Sequence, residues 1–384
     1  MADTSIEWTE RTWNPIVGCS LASPGCTNCY AMKMAGRLEA MGVECYRGTT
    51  QKTKAGFVWT GKIATNDNAL MEPLRRRAPT MWFVNSMSDL FHEDVSEQAI
   101  DRIFVVMALR PQHTFQMLTK RADRMRAYVE GFNWQRAVEN CRDAAGSSLI
   151  LKHSIADLRR KFGLAQRFSY DQDCSVWPLP NVWKGVSVED QKRADERIPD
   201  LLATPAAIRW LSCEPLLGTV RLDRIHQTFD DGLGHSWESC LNGKRFNEWG
   251  GSDGEGGDVD GCPKVDWVIC GGESGARARP MHPDWARSLR DQCADNGVPF
   301  FFKQWGDWAP HVAVGNEHGG IDMVPPVSFK AAHRWRRWDH GRSRVARADE
   351  SVSEFLAPGV ISVPVGKKAA GRLLDGVQHD GVPA

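Results

Sequence analysis

Short apolar runs rich in β-branched and aromatic residues recur along this chain, each ending in polar residues and most followed by a helical pattern. No other feature constrains the fold as much. The runs occupy residues 81–85, 113–118, 182–187, 208–212, 265–270 and 299–303, and residues 96–109 and 284–294 between them carry apolar side chains at helical spacing. Strand, helix, strand, repeated, predicts parallel pairing with crossover helices. With residues 11–17 as a first strand the count reaches about seven, which predicts an α/β protein built as a full or partial β/α, TIM-like barrel. The barrel is expected over residues 1–308, with insertions near 134–180 and 223–261. A C-terminal extension is expected over 309–384, regaining definition at 365–376 around Lys367, Lys368 and Arg372.

In such a barrel the strand C-termini form the active rim and the opposite face carries stability. The residues just after each run are chemically loaded: Cys19, Cys26 and Cys29 after the first, Ser86, Ser88 and Asp89 after the second, Thr119 and Lys120 after the third. Glu189 follows the fourth, Cys213 and Glu214 the fifth, Gly271-Gly272-Glu273-Ser274 the sixth, and Lys303 with Gln304 the seventh.

The cysteines at 19, 26 and 29 supply three thiolate ligands, whereas a structural zinc site normally closes with four and a three-ligand site keeps one position open. An iron–sulfur cube on three cysteines likewise leaves one iron free. Zinc with Cys45 or a rim histidine as the fourth ligand is the structural alternative. Eleven cysteines in 384 residues form no small disulfide framework, and in a reducing compartment they point to metal binding, catalysis or burial. Cys213 and Cys270, at strand ends, read either as hydrogen-atom donors to a substrate radical or as small apolar core residues. Glu214, Glu189 and Glu273 must be solvated, paired or functional. Lys303 is placed either to pair with one of these acids or to meet an anionic substrate. His282 reads as a helix cap, and most of the 16 tryptophans as core.

The hydrophobic fraction of 42% predicts a sizeable buried core. No apolar run approaches the length needed to span a bilayer and the N-terminus lacks a secretion signal, so no membrane association and a cytoplasmic location are expected. Net charge is zero, so nucleic-acid contact would fall to local patches. These are Arg75 to Arg77, the set Lys120, Arg121, Arg124 and Arg126, and Arg334, Trp335, Arg336 and Arg337, where tryptophan between arginines suits stacking on unpaired bases. Taken singly, each patch also reads as a solvated face.

The cysteine stretch after a first strand, continuing as Cys29-Tyr30-Ala31, resembles the cluster loop of radical S-adenosylmethionine enzymes, closest to the branch that includes spore photoproduct lyase. The gap between Cys19 and Cys26 is longer than is usual in that family, and Asn28 stands where an aromatic residue is common. Phe83-Val-Asn-Ser-Met-Ser-Asp-Leu-Phe-His92 is similar to the second-strand motif of that branch, and Gln116-Met-Leu-Thr-Lys-Arg121 to its third-strand threonine–lysine pair. Over most of its length outside the insertions, the chain also resembles a phage-associated family of unknown function bearing a three-cysteine motif. That likeness rests on Trp13-Asn-Pro15, Lys184-Gly-Val-Ser-Val-Glu189, Leu211-Ser-Cys-Glu-Pro-Leu-Leu-Gly218, Gly271-Gly-Glu-Ser-Gly275, Arg279-Pro-Met-His-Pro283 and Phe301-Phe-Lys-Gln-Trp305.

The resemblance implies a [4Fe–4S] cluster on Cys19, Cys26 and Cys29 that binds S-adenosylmethionine and yields a 5′-deoxyadenosyl radical. Ser86, Ser88, Asp89, Lys120 and Glu189 are then expected on the cofactor side, and Cys213, Glu214, Glu273 and Lys303 at the reacting centre. By analogy with photoproduct repair the substrate is expected to be nucleic acid or a nucleotide. The rival expectation is a noncatalytic, zinc-containing phage protein that binds nucleic acid or a phage-encoded partner.

Overall fold

The computed structural model describes residues 4, 6–54, 56–142, 177–228, 235–247, 262–275, 277–315, 321–324, 336–339, 342–345 and 359–383. Seven strands make its principal sheet: β1 (Arg11–Trp13), β2 (Met81–Val84), β3 (Thr114–Thr119), β4 (Val182–Ser187), β5 (Ile208–Cys213), β6 (Trp267–Gly271) and β7 (Phe300–Gln304). They lie side by side in chain order. That is the singly wound order of a β/α barrel, whereas a dinucleotide fold reverses strand order at its centre. The pairs β1–β2, β2–β3, β3–β4 and β6–β7 are parallel, with Phe83 opposite Thr12 and Gln116, and Gln116 opposite Trp183. A mixed α/β chain with a half-barrel parallel sheet is therefore established.

The helices form where the sequence sets caps and apolar spacing together. Helix α2 (Glu97–Ala108) starts at Ser96, whose Oγ accepts from the Ala99 amide at 3.2 Å, and buries Ile100, Ile103, Phe104 and Met107. Each such side chain contributes about 1.5–3 kcal/mol of burial free energy. Helix α6 (Pro283–Asp295) has proline at its first position and the expected cap, His282 Nδ1 accepting from the Asp284 amide at 3.1 Å. The other long helices are α1 (Tyr30–Ala40), α3 (Ala122–Glu130), α4 (Trp134–Arg142) and α5 (Gln191–Ala203).

The first strand differs from the expected 11–17. It stops at Trp13, and Ile16–Val17 pairs instead, antiparallel, with Ala64–Thr65. Pro15 lacks a ladder donor, while Asn14 turns its side-chain oxygen to the Ser86 hydroxyl at 3.1 Å and the Met87 amide at 3.0 Å.

The chain divides into two units. Unit 1 comprises Met1–Ser187, Asp195–Leu211 and Asp260–Asp266; unit 2 comprises Val188–Ala194, Ser212–Val259 and Trp267–Ala384. In unit 1, Trp13, Trp82 and Trp210 are fully buried, with Trp8 against Phe83 at 4.7 Å and Trp210 at 5.2 Å. Of the expected 134–180 insertion, the helix α4 is tied in by Asp101 on α2, which accepts from Arg136 and Asn140; residues 143–176 lie outside the described residues.

In unit 2 the expected 223–261 insertion contains a three-stranded antiparallel sheet, Ile225–Thr228, His235–Glu238 and Arg245–Asn247. The glycine-rich stretch 250–261 lies outside the described residues. Beyond residue 308 the looser extension carries a five-stranded sheet in the order Ile321–Val324, Trp308–Gly315, Gly359–Pro364, Arg336–Asp339, Arg342–Val345. The segment around Lys367 docks: the Lys367 amide donates to Asp307 Oδ1 at 3.0 Å and the Trp305 indole to the Leu373 carbonyl at 2.9 Å. Residues 379–381 run along β7, where the Phe302 amide donates to the His379 carbonyl and the Gly381 amide to the Phe300 carbonyl, which closes that edge of the sheet.

Candidate metal centre

The loop that follows Ile16–Val17 holds the three cysteines of unit 1. Gly18 opens it at φ +91°, and a Cβ there would fall 2.1 Å from the Lys62 carbonyl oxygen, so only glycine lets the chain pass. A 3₁₀ turn, Pro24–Cys26, places Cys26 just before Cys29, whose amide donates to the Cys26 carbonyl at 3.2 Å; Cys29 then caps α1. All three thiols are free of disulfides, and Cys19 and Cys29 pack against a cluster of Val17, Ala31, Met32, Ala35, Tyr46, Trp59 and Met87.

Burial pushes the Cys19 thiol up to about 12, with the Asp89 carboxylate, Cys26 and Cys29 adding to it and Arg121 opposing. Burial also raises Cys29, where Cys26 adds and Lys120 opposes. The three thiols thus lie within each other's electrostatic reach, and burial favours the neutral thiol at Cys19 and Cys29. Cys45 packs against the same cluster; burial raises its pKa, and its sulfur accepts from Asn66 Nδ2 at 3.7 Å.

The ends of β2 and β3 lock this loop in place. Asp89 Oδ1 accepts from the Thr119 hydroxyl at 2.7 Å and the Phe91 amide at 3.0 Å, and Oδ2 from the Lys120 amide at 3.0 Å and Arg121 Nη1 at 3.1 Å. Arg121 then reaches Glu93 Oε2 at 2.9 Å through Nε and Ser20 Oγ at 2.7 Å through Nη2. His92 Nε2 meets the same Ser20 oxygen at 2.9 Å, and its Nδ1 accepts from the Asp94 amide at 3.1 Å, which puts the ring proton on Nε2. Burial, with Arg121 adding to it, lowers the His92 pKa, so the ring is neutral at pH 7.

The structure brings Cys19, Cys26, Cys29, Asp89 and Lys120 together and adds Ser20, His92 and Arg121, which the sequence does not single out for this role. Ser86 Oγ donates to Asn14, and Ser88 Oγ to the Ile16 carbonyl at 2.8 Å, so they tie the strand leading to the cysteines. Asn85, just before them, is buried at φ +58°, with neither side-chain amide atom hydrogen-bonded among the described residues. Of the basic set on the following helix, Arg124 donates to the Val95 carbonyl, and Arg126, on the surface, to Glu130 and Asp200. Lys184 on β4 is fully buried, its ammonium 5.5 Å from the Trp177 ring centroid, and burial with Arg209 nearby pushes it down to about 7.

The candidates of unit 2 are disposed differently. Lys303 Nζ pairs with Glu214 at 3.1 Å to Oε1 and 3.3 Å to Oε2. Glu273 is clasped by Arg279: Nε and the backbone amide donate to Oε2 at 2.9 and 2.8 Å, and Nη2 to Oε1 at 2.6 Å. A Cβ on Gly272 would sit 2.0 Å from the Trp305 carbonyl oxygen, so this glycine serves a close crossing of two chain segments. Glu189 is fully buried, and Cys213 and Cys270 are core thiols, raised well above the ordinary range by burial.

Soft thiol donors beside Lys120 and Arg121 are a set that iron or zinc accepts, and the donor chemistry fits the metal group the sequence implies. Among the described residues no three His, Cys, Asp or Glu side chains already stand as a metal-holding group. Metal uptake would therefore displace thiol protons and draw the sulfurs inward. Arg334 and Trp335 of the Arg/Trp patch lie outside the described residues, and Arg336 and Arg337 begin the strand Arg336–Asp339.

Fold and loop together define a class: an α/β protein with a half-barrel parallel sheet and a three-cysteine loop beside its first strand. The chain belongs to the family described as protein of unknown function (DUF5131), whose family model matches residues 3–383. No curated protein and no solved structure matches it. No helix among the described residues is long and apolar enough to cross a membrane.

Proposed function

We propose that this chain is a radical S-adenosylmethionine enzyme that holds a [4Fe–4S] cluster on Cys19, Cys26 and Cys29 and acts on nucleic acid or a nucleotide. The observation that carries the reading is the convergence of three free thiols and the Asp89–Arg121–Ser20 network on one loop. Cys19, Cys26 and Cys29 would hold the cluster, whose chemistry there would be one-electron reductive cleavage of the sulfonium of S-adenosylmethionine.

This chain's residues do the holding and orienting. Arg121 is a positioning residue: it fixes the backbone beside Cys19 through Ser20 and is itself fixed by Asp89 and Glu93. Lys120 favours the thiolate of Cys29. The Val17–Trp59 cluster excludes water from the sulfur side of the loop.

Anaerobic reconstitution with iron and sulfide, followed by reduction in the presence of S-adenosylmethionine, tests the reading. It predicts brown protein with about four irons per chain and release of 5′-deoxyadenosine. Stoichiometric zinc with no iron uptake would falsify it and leave the zinc-containing binding protein in its place.

A further inference from the structure

The turn after β2 is stitched to both ends of the cysteine loop. Ahead of the loop, the Asn85 backbone amide donates to the Trp13 carbonyl at 2.7 Å, Ser86 and Met87 engage Asn14, and Ser88 Oγ donates to the Ile16 carbonyl. Where the loop opens, the Gly18 amide donates to the Met87 carbonyl at 3.2 Å, and Gly18 pairs with Ser88 in a β-bridge. Where it closes, the Tyr30 hydroxyl donates to the Ser86 carbonyl at 2.9 Å. Met87 itself packs in the apolar cluster that Cys19 and Cys29 meet.

One side chain of this turn is left over. Asn85 is 3% exposed, yet neither Oδ1 nor Nδ2 has a hydrogen-bond partner among the described residues. Burial of an unpaired amide costs stability, and a φ of +58° adds backbone strain. Glycine would take the same φ with neither penalty. What asparagine adds over glycine is the amide.

The three sulfurs are unequally served with donors. The Ala31 and Met32 amides at the start of α1 hydrogen-bond Cys29 and oppose the effect of its burial. Cys26 Sγ lies 4.0 Å from Ser23 Oγ. Cys19 Sγ instead gives its proton to the Ser20 carbonyl at 3.4 Å and accepts from no donor among the described residues. Metal binding removes that proton and leaves an anionic sulfur, which N–H donors stabilise. Of the residues that tolerate a left-handed backbone, glycine brings no donor and aspartate brings a charge of the thiolate's own sign. Asparagine brings a neutral N–H.

We infer that Asn85 is a positioning residue for the cysteine-held metal: when the loop is loaded, Asn85 Nδ2 donates to the Cys19 thiolate. Its amide thus gains a partner in the metal-bound chain that the metal-free chain does not offer. The inference rests on the metal reading of the loop proposed above.

Two variants of the full chain test it, with cobalt as the probe metal and its thiolate absorption as the signal. Asn85→Gly keeps the backbone and removes the amide, whereas Asn85→Asp keeps the shape and replaces the donor with a charge. Competition with a chromophoric chelator should show cobalt bound about tenfold more weakly by Asn85→Gly and more weakly still by Asn85→Asp. Metal-free Asn85→Gly should melt as the wild type does. After anaerobic reconstitution with iron and sulfide, the same variant should show a more negative midpoint potential, because hydrogen bonds to sulfur favour the reduced cluster.

Unchanged cobalt affinity, or an unchanged potential in the reconstituted chain, overturns the inference while leaving the cluster in place. So does a metal-free stability that falls as far as the affinity, which makes the amide structural, or an Asn85→Asp variant that binds cobalt as tightly as the wild type. A loss confined to S-adenosylmethionine affinity overturns it too, since the partner is then the cofactor and not the sulfur. Zinc without iron uptake overturns the parent reading instead, and the cobalt series still decides the role of Asn85.

Discussion

Both units place carboxylates beside cations where strands of the principal sheet end, but they leave different things over. In unit 2 the charges close on each other. Glu273 takes every donor Arg279 offers it, Glu214 takes Lys303, and Asp307 accepts the Gly275 and Lys367 amides. In unit 1 the charges are wired to a loop: Asp89 holds Arg121, Arg121 holds Ser20, and Ser20 adjoins a thiol with no disulfide partner. Unit 1 also keeps Lys184 buried with no hydrogen-bond partner for its ammonium among the described residues. Charge pairs that satisfy themselves hold a fold, whereas those that end on a reactive group position it.

The largest break in this comparison comes at the thiols. Serine at Cys19, Cys26 and Cys29 together should abolish iron uptake, from about four irons to none, while circular dichroism keeps its folded signature. Persistent iron would place the metal elsewhere.

Lys184 tests the uncompensated side. Its folded pKa of about 7 lies below the ordinary 10.5. The unfolded chain therefore binds more protons between these values, and wild-type stability should rise with pH across that window. Lys184→Met removes the penalty, so it should stabilise by about 4 kcal/mol near pH 7 and by progressively less towards pH 10. Denaturant melts at several pH values provide the check, and a destabilised variant at pH 7 would refute the assignment.

Arg279→Met strips the buried Glu273 of its partner and should cost about 3 kcal/mol in the same melts. Iron content per folded chain should not change, and a fall would mean that unit 2 contributes to the metal site. Arg121→Met should do the reverse, lowering metal affinity by about tenfold with a smaller loss of stability. Competition with a chromophoric chelator, using zinc or cobalt as the probe, reads this effect; unchanged affinity would show that the Asp89–Arg121 network is structural only.

The sheet was legible because strands of a parallel sheet, covered on both faces, read as continuous apolar runs such as Met81–Val84 and Phe300–Gln304. The shortened first strand was not, because Pro15 and the side-chain bonds of Asn14 decide where the ladder ends, and those bonds reach residues 72 and 73 positions away. The antiparallel strand Trp308–Gly315 was hidden for a similar reason: alternation broken by Pro310 gives no run to see, and its pairing with Gly359–Pro364 is remote in sequence. At the site, the cysteines announce themselves by spacing. Arg121 did not, since its role depends on Asp89 and on Ser20, 32 and 101 residues earlier, and a lysine–arginine cluster read locally looks like a solvated face. Glu273 stood out as a carboxylate just after a strand, but its clasp by Arg279 was hidden, and of the two glycines before it Gly272 accommodates the Trp305 crossing and Gly271 the Glu214 side chain.

The Ser20 hydroxyl carries one more implication. Its oxygen accepts from Arg121 Nη2 and, given the His92 tautomer, from Nε2–H, which uses both lone pairs. Its own hydrogen is then left without an acceptor among the described residues. Beside Cys19 the loop therefore presents the Ser20 hydroxyl as a donor towards electron-rich sulfur, while the Ser20 carbonyl already accepts from the Cys19 thiol at 3.4 Å.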